Sequence, residues 1–65
     1  MIKNRLQELR WERNWSQSQL SRISGVPQPD IHKIENNPMS NPGVYTAIRL
    51  SRALSVSIED IFILD

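Results

Sequence analysis

The sequence predicts an all-α domain of five short helices, and three observations carry that prediction. Apolar residues recur at helical spacing in Ile2, Leu6 and Leu9, in Leu20 and Ile23, in Ile31 and Ile34, and in Val44, Ala47, Ile48, Leu50 or Ser51, and Leu54. Three of the expected helices open on recognisable start signals: Ser16 with Gln19, Asn41 before Pro42, and Ser57 with Asp60. Finally, 65 residues without cysteine make one domain, residues 1–65, which must be held by helix packing alone.

The first helix is expected from about Ile2 or Lys3 to Arg13. Asn14 is its stop, because asparagine tolerates the left-handed conformation. Ser16 and Gln19 form a capping box for the second helix, about Gln17 to Ser24. Trp15, just before the cap, can staple onto Leu20. Leu20 and Ile23 are expected to face inward, and Ser21 is small enough for a neighbouring helix to come close. Gly25 then supplies a tight turn and Val26 tucks into the core.

The third helix is expected from about Gln28 to Asn36, with Ile31, Ile34 and Glu35 toward the protein. Pro27 and Pro29 fall at its first turn, where backbone N–H groups have no intrahelical partner, and Asp30 favours the same end. Residues 36–43 read as a loop. Asn41 as cap and Pro42 as first residue open a fourth helix reaching about Leu54. Ser57 and Asp60 cap a last helix over Ile58 to Ile63, although the β-branched content of Val56 to Ile58 and Ile61 to Ile63 leaves strands as the alternative.

Charge is unevenly spread. Residues 1–22 hold five basic and two acidic side chains, and residues 23–65 hold three basic and five acidic, for a net charge of +1. This is a modest bias for a duplex binder, since phosphate neutralisation supplies much of such affinity. The single histidine, His32, makes no metal site, and no cofactor is expected. No carboxylate pair or nucleophile–base arrangement indicates an enzyme. Met1 to Arg5 leads into charged residues and not an apolar run, so the expectation is a cytoplasmic protein with no membrane span.

Several segments together resemble the helix-turn-helix family of phage lambda-type repressors, Cro proteins and xenobiotic-response-element-type regulators. These are Leu9-Arg10, Trp15-Ser16-Gln17, Leu20 through Gly25-Val26, Ile31 to Asn36, and Ala53-Leu54-Ser55-Val56-Ser57. The resemblance covers nearly the whole chain and puts the helix-turn-helix unit at about residues 16–36. It implies a five-helix, sequence-specific double-stranded DNA-binding regulator, typically a homodimer on an inverted repeat and often a repressor of phage or mobile-element origin. It places Gln28, Pro29, His32 and Lys33 toward bases. Gln17, Asn36 and Ser16 come near phosphates, and Arg10 pairs with Glu35 in a partly buried salt bridge. The chain departs from the family pattern at Ser21, Pro27, Asn37 and Ser55.

The chemistry of these side chains fits such a face. A glutamine amide can match adenine N6 and N7, and lysine can donate to guanine O6 or N7, which makes Gln28 the best specificity residue. Lys33 can equally contact phosphate or only solvent. Pro29 can offer apolar contact to a thymine methyl group. Gln17 can add to the phosphate-binding N–H groups at a helix start, or serve only as a helix-start residue. Trp11 falls where relatives carry a polar residue. Ile61, Phe62, Ile63 and Leu64 form an apolar run that cannot all face one small core, and are expected at a dimer interface. These features keep open a second reading, a protein-interaction module on the same fold that serves as an antirepressor or antitoxin and binds a regulatory protein partner.

Overall fold

The computed structural model describes residues 2–37 and 42–64, with the side chains of Ile2 and Leu64 left aside. Strand β1 (Ile2–Asn4) leads into helices α1 (Leu6–Glu12), α2 (Gln17–Ser24), α3 (Gln28–Asn36), α4 (Val44–Leu54) and α5 (Ile58–Ile61), and strand β2 (Phe62–Leu64) follows. The five expected helices are present. The two strands pair antiparallel into a short ribbon, with Ile2 opposite Leu64, Lys3 opposite Ile63 and Asn4 opposite Phe62.

That ribbon corrects both ends of the sequence reading. The first helix starts at Leu6, not at Ile2 or Lys3, and the last stops at Ile61, not Ile63. The physical reason lies across the chain: Arg5 N donates to the Ile61 carbonyl at 2.8 Å, holding the two ends extended side by side. Asn4 Oδ1 accepts from Leu6 N at 3.3 Å, which pairs the first N–H of the helix.

Local signals place α2 and α5. Ser16 Oγ accepts from Gln19 N while Gln19 Oε1 accepts from Ser16 N, and Ser57 and Asp60 repeat the reciprocal pair. Asn14 (φ 58°), Gly25 (φ 76°) and Ser55 (φ 57°) turn the chain in the left-handed region after α1, α2 and α4. Pro27 stands before α3 with its carbonyl accepting from Asp30 and Ile31, so neither proline interrupts the helix.

The fourth helix is corrected too. Pro42 lies outside it and extended Gly43 (φ −65°, ψ 162°) is its cap, so α4 begins at Val44; the expected cap Asn41 lies outside the described residues.

The core joins Leu6, Leu9, Leu20, Val26, Ile31, Ile34, Leu50, Leu54 and Ile61, with Trp15, Ala53, Val56 and Phe62 packed on it. Two expected core residues face outward: Ile23 is 52% exposed and Val44 73% exposed. On helices this short the inward stripe is narrow, and each falls just beyond it.

Candidate nucleic-acid interface

The centre of the site is an ion pair. Arg10 from α1 meets Glu35 from α3 side-on: Nε donates to Oε2 and Nη2 to Oε1, both at 2.8 Å. The side chains are 8% and 1% exposed, so the expected partly buried bridge is present, and more deeply buried than expected. Arg10 Nη1 also donates to the Trp15 carbonyl at 2.8 Å, tying the segment before α2 to the same pair. The hydrogen bond to Glu35 raises the Arg10 pKa above its ordinary value against the opposing effect of burial. The guanidinium therefore stays charged wherever the chain folds.

Gln17, first residue of α2, joins this cluster. Its Nε2 donates to Glu35 Oε1 at 3.2 Å. Residue spacing gave no sign of this bond; the partners are 18 positions apart and meet only because α2 and α3 cross at the turn. That turn is built locally. Ser24 Oγ accepts from Val26 N at 3.1 Å, and Arg49 reaches from α4 to the Gly25 carbonyl at 3.4 Å.

On the outer side, Gln17, Gln28, Pro29 and His32 line one open depression of about 370 Å³. Four residues proposed for DNA from two different helices thus share a single concavity. Gln28 and Pro29 stand in the first turn of α3, and His32 lies one helical turn beyond Gln28. Lys33 is exposed on the same helix but does not line the depression. Asn36 folds back along α3: its Nδ2 donates to the His32 carbonyl at 2.8 Å and lies 3.1 Å from His32 Nδ1. Ser16 is exposed, with its hydroxyl oxygen engaged in the cap. Asp30 is exposed in the first turn of α3, bringing a negative charge to this face.

The apolar C-terminal run divides. Ile61 is fully buried in the chain's own core, and Phe62 packs against that core while staying partly exposed. The reason is the ribbon, which pairs this segment with β1. Ile63 is 36% exposed, and the Leu64 side chain is outside the described set. Trp11 stands outward on α1 at 59% exposure.

Sequence reasoning missed Arg13. Its Nη1 donates to the Leu9 carbonyl at 2.8 Å, its Nη2 to the Leu54 carbonyl at 2.6 Å, and its guanidinium lies 5.9 Å from the Trp15 ring centre. Leu9 and Trp15 are near Arg13 in sequence, but Leu54 is 41 positions away and could not have been read.

Two comparisons bear on this arrangement. The family model described as helix-turn-helix matches residues 6–61, which takes in all five helices and leaves out only the ribbon strands and their flanks. No curated protein matches the chain.

Proposed function

The chain belongs to the helix-turn-helix family, and from that premise we propose that it is a sequence-specific double-stranded DNA-binding transcriptional regulator. In this reading α3 enters the major groove and the start of α2 rests on the phosphate backbone. The observation that carries it is the shared depression, where Gln17 comes from α2 and Gln28, Pro29 and His32 come from α3. Two amides facing one concavity supply donors and acceptors suited to a base edge and an adjacent phosphate. Lys33 adds a cation beside them, and Ser16 and Asn36 flank the phosphate side.

We take the regulator to be a cytoplasmic repressor of phage or mobile-element type, bound as a homodimer to an inverted repeat. The second copy would meet this one through surface that the fold leaves open, which includes the exposed parts of Phe62 and Ile63 but not the buried Ile61. No described helix is long and apolar enough to cross a membrane.

Selection of bound sequences from a random duplex pool tests this directly. A symmetric enriched motif supports the regulator and its dimer together, and spacing between half-sites near one helical turn, about 34–36 Å, would match paired recognition helices. Gln28→Ala should relax the motif at one position, whereas Gln17→Ala should weaken binding across sequences. No enrichment and no salt-dependent binding would reject the reading.

The exposed indole of Trp11 favours one second reading, an interaction module that engages a regulatory protein partner through α1. Under that reading Trp11→Ser abolishes function while Gln17 and Gln28 tolerate replacement.

A further inference from the structure

One carboxylate in this fold serves two partners of different kinds. Glu35 Oε2 accepts from Arg10 Nε, while Oε1 accepts from both Arg10 Nη2 and Gln17 Nε2. A carboxylate only accepts, so the nitrogen of the Gln17 amide, and not its oxygen, faces Glu35. The orientation of that amide is thereby set. Glu35 itself is 1% exposed on its side chain and cannot touch a ligand in the depression. Gln17 lines the depression and can.

We propose that Glu35 is a positioning residue for DNA binding and acts through Gln17. It holds one N–H of the Gln17 amide inward and leaves the second N–H and the carbonyl oxygen for a ligand at the depression. The inference rests on the DNA-binding reading of the same site. Arg10 completes the device: its two parallel bonds fix the carboxylate in plane, and its third bond, to Trp15, anchors the segment that leads into Gln17. The reach of one contact residue is therefore set from α1, α2 and α3 at once. A glutamine held this way has lost its side-chain freedom before the ligand arrives, so binding need not oppose that loss again.

The test is a double-substitution cycle read by fluorescence anisotropy on pooled random-sequence duplex DNA at low salt. Four proteins are compared: the native chain, Gln17→Ala, the pair Arg10→Met with Glu35→Leu, and all three substitutions together. Exchanging both ion-pair partners for apolar residues of similar volume keeps the interior filled and leaves no lone buried charge. With Gln17 present, losing the pair should weaken binding about threefold to tenfold, the cost of ordering one long side chain on binding. In the Gln17→Ala background the same exchange should change binding less than about twofold, because the positioned residue is gone.

Equal weakening in both backgrounds would overturn the inference while leaving the DNA-binding reading standing. Failure of the native chain to bind any duplex at low salt would overturn both. Should the exchanged pair not fold, the native chain answers alone. Its free-state NMR spectrum should show the Gln17 side-chain amide with one proton shifted downfield and protected, unlike that of exposed Gln28. A Gln17 signal resembling that of Gln28 overturns the inference.

Discussion

Arg13 Nη2 donates to the backbone carbonyl of Leu54 at 2.6 Å, across 41 positions of sequence. With Nη1 on the Leu9 carbonyl, one guanidinium closes the C-terminal ends of both α1 and α4. Helix C-termini carry partial negative charge and unpaired carbonyls, so a forked cation suits both ends at once.

Arg13→Met should therefore destabilise the fold by about 2 kcal/mol, the range for hydrogen bonds to charged groups. In a domain of this size that lowers the melting temperature by about 10 °C. Arg13→Lys should recover only part of the loss, since an ammonium cannot reproduce the fork. Thermal denaturation followed by circular dichroism reads all three proteins.

Glu35→Ala strands a buried guanidinium and should cost about 3–5 kcal/mol, whereas exchange of both partners for apolar residues should be close to neutral. The pH sign follows from the raised Arg10 pKa. A base whose folded pKa is raised contributes stability below its unfolded pKa and loses it only as pH climbs through the folded one. Between about pH 6 and pH 10, where guanidinium is fully protonated, Arg10's contribution should not vary. Equal melting of the native chain and Glu35→Ala would overturn the ion-pair account.

Ser55 holds φ 57° at the end of α4. Left-handed backbone costs a residue with a Cβ about 1–2 kcal/mol, and glycine avoids that cost while giving back part through its looser unfolded state. Ser55→Gly should raise stability by about 0.5 kcal/mol. Gly25→Ala should go the other way, because φ is 76° there and a Cβ would stand 3.0 Å from Arg49 Nη1. Paired urea titrations at constant slope compare them.

Asp30→Asn should separate stability from affinity. The charge favours the N-terminal end of α3, so its loss should cost about 0.5 kcal/mol. On the proposed interface the same charge opposes phosphate, and its removal should tighten duplex binding about threefold at low salt, with the gain fading as salt rises. Tighter binding that persists at high salt would mean that the effect is not electrostatic.

The helices were legible wherever their signals were local. Ser16 with Gln19 and Ser57 with Asp60 are three residues apart, and the geometry they imply is settled within one turn. The Arg10–Glu35 pair was legible through family resemblance and not through spacing. Ile2, Leu6 and Leu9 satisfy a helical period, yet Ile2 lies in a strand because its partner, Leu64, stands at the far end of the chain. Periodicity cannot report a competitor that distant. The same limit hid the Arg13 bond to Leu54 and the Gln17 bond to Glu35, and it left open which part of the Ile61–Leu64 run faces the core; Ile61 does. At the candidate site, the positions Gln17, Gln28, Pro29 and His32 were readable; their meeting in one depression depends on how two helices cross.

The ribbon gives residues 2–4 and 62–64 an unusual dependence on each other. Short peripheral segments ordinarily open one at a time and at little cost. Among the described residues each strand has the other as its one partner, so neither can peel away without releasing both. Asn4 Nδ2 also donates to the Ile34 carbonyl at 3.0 Å, so the strand end rests on the backbone of the helix proposed to read DNA. Opening of the ribbon thus becomes a single cooperative event that reaches α3. In hydrogen exchange the amide of Arg5 and those of the paired strand residues should open with one shared free energy, as a single unit built from two segments about sixty positions apart.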